Sequence, residues 1–496
     1  MYSPWVGEPD SARSDTPRGV LDVDTPSPGG TGGEGSARWA HSGPLERPFT
    51  SRMLTSGESF PVAPYGPTVP VTRRQLIASA AIGAGATAVA APALGLRDAP
   101  ASAAVPKLPA PGRSGIDHIV VVMMENRSFD HFLGWMPGAD GKQSGLVFSD
   151  RQGIKHKTFH QTAFASCGFN DPDHSYEGGR IEWDGGRCDG WLRAGSNDVL
   201  SISYFQKRDL SFLGRAATSW TTFDRYFSAV MAETYPNRFY QHAAQTDRIH
   251  NSSTISTLPT IWDSLAKAGL TGRYYYSDVP FTVLWGAKYQ PISQPIQRFY
   301  ADAAAGRLPQ VSFIDPRFMD ENSGTSSDDH PHADIRAGEA FLNRVYNAVV
   351  SSPNWANTLL VVNFDEWGGF FDHVSPRTAP DVSPATALRG FRVPALVISP
   401  RARRGVVDHT VYDHTSILRA IEWRWGLPPL TPRDKAAANI IQSLDFSRAP
   451  NLAAPRFTVP QFTASVCPTD ALGGPEATEW ADLKTLALST GWNLPA

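Results

Sequence analysis

Two apolar runs in this chain end abruptly in acidic and amide side chains. Ile119 to Met124 is continuously hydrophobic and leads into Glu125-Asn126, and Thr358 to Phe364 (TLLVVNF) leads into Asp365-Glu366. Carboxylate and amide oxygens with no thiolate among them suit a hard divalent cation, without identifying it. A hydroxyl of interest lies in Ala232-Glu233-Thr234-Tyr235-Pro236-Asn237-Arg238, where Thr234 stands close to a Pro that marks the first turn of a helix. A hydroxyl at that position either caps the helix or is presented among free backbone N–H groups, whose dipole favours an incoming phosphate. Loop segments also carry histidines, His174 between Asp173 and Ser175, and His330 and His332 in Asp328-Asp329-His330-Pro331-His332. Taken singly, each of these residues reads as a cap, a turn or a surface group. Two carboxylates directly after a branched apolar strand have no structural purpose of that kind, and they repeat the arrangement at Glu125.

Such residues need a scaffold that brings strand ends together. Runs that are branched and apolar throughout are strands buried on both faces, the pattern of a parallel sheet, and open α/β sheets bind ligands at the carboxyl ends of their strands. The rest of the chain alternates accordingly: a short helix starting in Ser128 to Gly134, a helix over Asp209 to Trp220, strand-like Phe223 to Met231, a helix near Thr260 to Ala268, a strand at Arg273 to Tyr276, a helix around Gln297 to Ala305 and a strand at Gln310 to Ile314. Beyond them come a helix over Ala333 to Val350, whose apolar spacing is core packing, a strand at Arg392 to Ser399 and a helix over Thr415 to Trp425. Phe164 to Trp191 is dense in turn residues and reads as a long irregular loop, the kind that is often functional. Tyr274, Tyr275, Tyr276, Phe281 and Trp285 could touch a lipid or a choline group, and a core strand explains the tyrosines equally well.

Composition limits the partners. With 496 residues, a formal charge of -3 and 41% hydrophobic content, the chain has ample material for a large core and no bulk basicity to attract nucleic acid. Residues 1–71 are rich in Pro, Gly, Ser and Thr and are expected to be disordered. Residues 72–103 carry Arg73-Arg74, an uncharged Ala- and Gly-rich run and the triplet Ala101-Ser102-Ala103, the layout of a twin-arginine export signal; the long segment ahead of it suggests that translation starts at Met53 or later. A catalytic domain over 104–442 and a Pro- and Ala-rich wrapping tail over 443–496 follow. In an oxidising compartment Cys167 and Cys188 could bridge and close the loop around His174, with Cys467 left unpaired.

Together ENRSFDHFLG, HSYEGGRIEWDGGRCDGW, TYPNR, DDHPHADIRAGEAF and NFDEWGGFFDHV, spread over Ile116 to Trp425, resemble the bacterial phosphoesterase family of phosphatidylcholine-type phospholipases C and a related acid phosphatase. The resemblance implies an α/β, alkaline-phosphatase-like fold, with a central mostly parallel sheet and helices on both faces. It implies one divalent metal ion held by Glu125, Asn126, Asp365, Glu366 and the oxygen of Thr234, with Thr234 as nucleophile, His174 and His330 lining the phosphate pocket, and Asn237 and His373 as weaker substrate-binding candidates. His332 stands where the family often has a second Pro. The implied substrate is a phospholipid met at a membrane surface, or a small phosphate ester; a non-catalytic cell-envelope binding protein on the same scaffold is the remote alternative.

Overall fold

The computed structural model describes residues 107–468 and 478–495, so the expected N-terminal extension and export signal lie outside the described residues. The strand His118–Met124 sits near the middle of an eight-stranded sheet whose order is Val406–Asp408, Thr221–Phe223, Ala395–Ile398, Thr358–Phe364, His118–Met124, Val311–Ile314, Gly272–Tyr276 and Ser293–Pro295. Every neighbouring pair is parallel except the two made by Ala395–Ile398, which runs antiparallel to both of its neighbours. The mostly parallel α/β reading therefore holds, with helices Leu213–Ser219, Ile261–Lys267, Ile296–Ala304 and Ile335–Val350 packed on the strands. Val120, Val121, Leu360 and Val361 are fully buried, as strands covered on both faces require.

Register explains how strand ends become a site. His118 pairs with Thr358 and Met124 with Phe364, while Val122 pairs with Ile314 on the other side. Glu125, Asp365 and Asp315 consequently leave three adjacent parallel strands at the same edge.

Several expected elements differ. The loop Phe164 to Trp191 contains a helix, Tyr176–Trp183, started by Ser175, whose side chain accepts from the Gly178 N–H. Phe223 to Met231 is not one strand: the sheet strand ends at Phe223, and Tyr226–Phe227 pairs separately with Tyr412–Asp413. Of Asp209 to Trp220 only Leu213–Ser219 is α-helical. Tyr274, Tyr275, Tyr276, Phe281 and Trp285 are all buried among core side chains, which removes them as lipid contacts. The tail carries an unexpected helix, Glu479–Ser489.

The disulfide is also a correction. Cys167 is bonded to Cys467, across a separation of 300 residues, and Cys188 is a buried free thiol whose Sγ faces the Gly186 carbonyl of its own turn. Spacing within a loop could not reveal that the tail returns to it. Because the bridge closes so long a loop, Cys467→Ser is expected to lower stability by about 2–4 kcal/mol. Thermal melts with and without reductant check this: reductant should lower the wild-type melting temperature and leave that of the variant unchanged.

Candidate active site

Arg238 is the hub of the site. Its guanidinium is almost fully buried and pairs with Glu125 at 3.0 Å, Asp315 at 3.0 Å and Asp365 at 2.9 Å, joining the three strand ends. It sits one turn beyond Thr234 on the helix Thr234–Ala243, so the two side chains share a face. Thr234 is the first helical residue, and its fully buried Oγ1 has no hydrogen-bond partner and caps nothing. Glu233 occupies the cap position instead, with its carboxylate accepting from Asn251 N–H and facing His250 Nδ1. Of the two readings open for Thr234, capping is therefore excluded.

Asn126 turns the chain at the end of the first strand with φ 56, a left-handed conformation that Asn tolerates better than most residues. The turn aims its N–H at Asp365 Oδ1 (3.3 Å) and its side chain at His174 Nε2 (3.0 Å). Gly368 makes the approach possible: a Cβ there would lie 2.3 Å from the Asn126 carbonyl oxygen. His174 Nδ1–H donates to the Pro172 carbonyl (2.7 Å), a pattern that leaves Nε2 to accept from Asn126 and to lie 3.6 Å from Glu366. His330 stands edge-on to His174, with ring centroids 6.1 Å apart; its Nδ1–H donates to the Pro331 carbonyl and its Nε2 lies 3.7 Å from Asp171.

Negative charge exceeds positive here. Burial raises the carboxyl of Glu125 well above its ordinary value against the pull of Arg238, raises Glu321 likewise, and pushes Asp315 and Asp328 up to about 7. Burying several carboxylates around one guanidinium is costly unless protons or a cation balance them. Glu125, Glu321 and Asp328 each place a carboxylate oxygen within 4.8 Å of the others and could hold a metal ion. Asn126 Oδ1, Glu125 Oε2 and Thr234 Oγ1 are buried without hydrogen-bond partners, oxygen donors of the kind a hard cation takes.

The structure thus links Glu125, Asn126, Asp365, Glu366, His174 and His330 to one another and to Arg238, one helical turn from Thr234. It does not bring Asn237 or His373 into that set. The Asn237 amide is taken up by backbone, accepting from Val230 N–H and donating to the Val230, Ala232 and Glu233 carbonyls, and so shapes the turn that presents Thr234. The His373 ring is bound to Asp130 and Asp140 in a separate cluster with Asp372 and Arg392. His332 Nε2–H donates to the Phe169 carbonyl and ties two loops together. Sequence reasoning missed Arg238, Asp315 and Glu321. For Arg238 a signal was present, since it follows Thr234 by one helical turn; for Glu321, in a turn-rich loop, there was none.

Comparison with known proteins places this geometry among others. The model of the phosphoesterase family matches residues 116–428. Phospholipase C B of Mycobacterium tuberculosis is 29% identical over 79% of this chain and 89% of its own, and non-specific phospholipase C1 of Arabidopsis thaliana is 31% identical over 64% of this chain and 69% of its own. A solved alkaline phosphatase superfamily protein from Vibrio parahaemolyticus overlaps 66% of this chain and 70% of its own at 11% identity with a TM-score of 0.32, an overlap too slight to add to the sheet order described above.

Proposed function

The chain belongs to the phosphoesterase family and is a hydrolase of phosphate esters, and from that premise we propose that it is an exported phosphodiesterase of the phospholipase C type working through a covalent phospho-threonine. The observation that carries this reading is the fully buried Thr234 Oγ1, without a partner at the start of a helix whose Arg238 is locked to three strand-end carboxylates. Thr234 Oγ1 attacks phosphorus in line, its proton passing to solvent and the bond from phosphorus to the ester alcohol breaking as the new one forms, with the helix N-terminus supplying N–H dipoles to the phosphate. As an imidazolium, with Nδ1–H on the Pro331 carbonyl and Nε2–H beside Asp171, His330 gives its Nε2 proton to the departing alcohol. His174 holds Asn126 in place through the hydrogen bond at 3.0 Å. Water then releases the phosphorylated group from Thr234. A single divalent ion held by Glu125 and Asn126, with Asp365 and Glu366 on the neighbouring strand end or with Glu321 and Asp328, whose carboxylates cluster with Glu125, would lower the hydroxyl pKa and offset charge on the phosphate. Export by the twin-arginine route, to the cell envelope or beyond, and transient contact with a lipid surface complete the proposal, with phosphatidylcholine-like lipids as substrates.

The test is chelation followed by reloading with single divalent ions, with turnover of p-nitrophenyl phosphorylcholine, p-nitrophenyl phosphate and phosphatidylcholine vesicles measured after each. Activity should fall on chelation, return with a metal and favour the two choline esters. Turnover of the monoester alone would instead make this an acid-phosphatase-type enzyme.

A further inference from the structure

The family match ends at residue 428, yet the cavity that meets the site at His174 is walled in part by Thr478, Glu479 and Asp482, far beyond it. This cavity, of 470 Å³, has His174 and the two neighbours of Thr234, Glu233 and Tyr235, on one side, and Glu479 and Asp482 of the C-terminal helix on another. The helix is fixed to the catalytic framework at several points. Trp480 stacks on Phe318 with ring centroids 3.8 Å apart, and both rings lie against Arg238. Tyr235 Oη–H donates to the Glu479 carbonyl (2.9 Å), the Asn251 amide donates to the Glu479 carboxylate, and upstream the tail is bonded through Cys467 to Cys167, seven residues before His174.

Charge in this cavity runs against the substrate. Among the described residues no Lys or Arg lines it, and Asp171, Asp173, Glu233, Glu479 and Asp482 do. His250, the cavity's cationic candidate, pairs through Nδ1 with Glu233 at 2.8 Å and lies 3.6 Å from Glu177 through Nε2, so carboxylates offset the charge it carries. A plain anionic ester entering here meets carboxylates, whereas an ester that carries its own cation meets complementary charge.

We propose that the C-terminal helix is the substrate-selecting wall of the active site, and that Asp482, exposed at the cavity and, among the described residues, in no ion pair or side-chain hydrogen bond, is a specificity residue for an ammonium group on the substrate. The proposal rests on the phosphodiesterase reading above and adds the residues that choose among diesters. Its test compares wild type, Asp482→Asn and Asp482→Lys in the full chain on p-nitrophenyl phosphorylcholine and on methyl p-nitrophenyl phosphate, diesters that differ in the cation. The ratio of kcat/KM for the first to that for the second should fall about fivefold in Asp482→Asn and further in Asp482→Lys, through KM. An unchanged ratio overturns the proposal, and melting temperatures verify that the exposed substitutions leave the fold intact. Should wild type turn over p-nitrophenyl phosphate and neither diester, the phosphodiesterase reading fails by itself. Phosphocholine and inorganic phosphate as competitive inhibitors then still interrogate the wall: Asp482→Asn must weaken phosphocholine relative to phosphate, and equal weakening or none overturns it.

Discussion

Thr234→Ala is expected to reduce turnover of every phosphate ester by at least about a thousandfold while the protein stays folded. The substitution removes the one atom proposed to bond to phosphorus. It should also be structurally mild. Thr234 Oγ1 makes no hydrogen bond, so its loss leaves no partner behind, and alanine is a good helix former at the first position of Thr234–Ala243. Stability should therefore change by less than about 1 kcal/mol in urea unfolding, and metal content should be largely retained because Glu125, Asn126, Asp365 and Glu366 remain. Thr234→Ser should recover a measurable part of the rate. An alanine variant that kept more than a few per cent of wild-type activity would exclude Thr234 as the nucleophile.

Arg238→Leu should show the largest loss of stability. Glu125, Asp315 and Asp365 share this one guanidinium and are themselves buried, so removing it strands their charges at a cost of about 3–5 kcal/mol. The deficit should depend on pH. Burial holds Asp315 up at about 7 with Arg238 in place, and without that cation the carboxyls rise further. A carboxyl whose folded value is raised contributes its stability while protonated and loses it as pH rises through the folded value. The gap between wild type and Arg238→Leu should accordingly be smaller at pH 5 than at pH 8. Urea unfolding at both pH values reads it directly, and a gap that stayed constant would mean that the three carboxylates are balanced by something other than Arg238.

Much of this was legible in the sequence, for local reasons. A run such as Ile119 to Met124 can only be a strand covered on both faces, and the fully buried side chains there agree. Glu125-Asn126 and Asp365-Glu366 announced themselves because polar pairs directly after such runs must lie at strand ends, and the paired register of His118–Met124 with Thr358–Phe364 sets them side by side. Thr234 was open between cap and nucleophile on sequence grounds, because both roles use the same residue at the same helix position. Only the orphaned Oγ1 and the cap taken by Glu233 separated them. Asn237 and His373 were misjudged for a related reason: an amide or imidazole near a site looks alike whether it meets a substrate or, as here, backbone carbonyls and the Asp130 carboxylate.

By itself, then, the sequence determined the α/β alternation and the strand-end positions of Glu125-Asn126 and Asp365-Glu366, properties that depend on residue type and short spacing, while its motifs carried the resemblance to the family. Tertiary structure alone decided three things. It put one guanidinium, Arg238, between carboxylates from three separate strands. It chose Cys467 over Cys188 as the partner of Cys167. It also set Glu479 and Asp482 of the tail helix Glu479–Ser489 into the wall of the cavity that His174 lines. Each of these depends on which distant segments meet, and that is set by packing of the whole core rather than by any local pattern of residues.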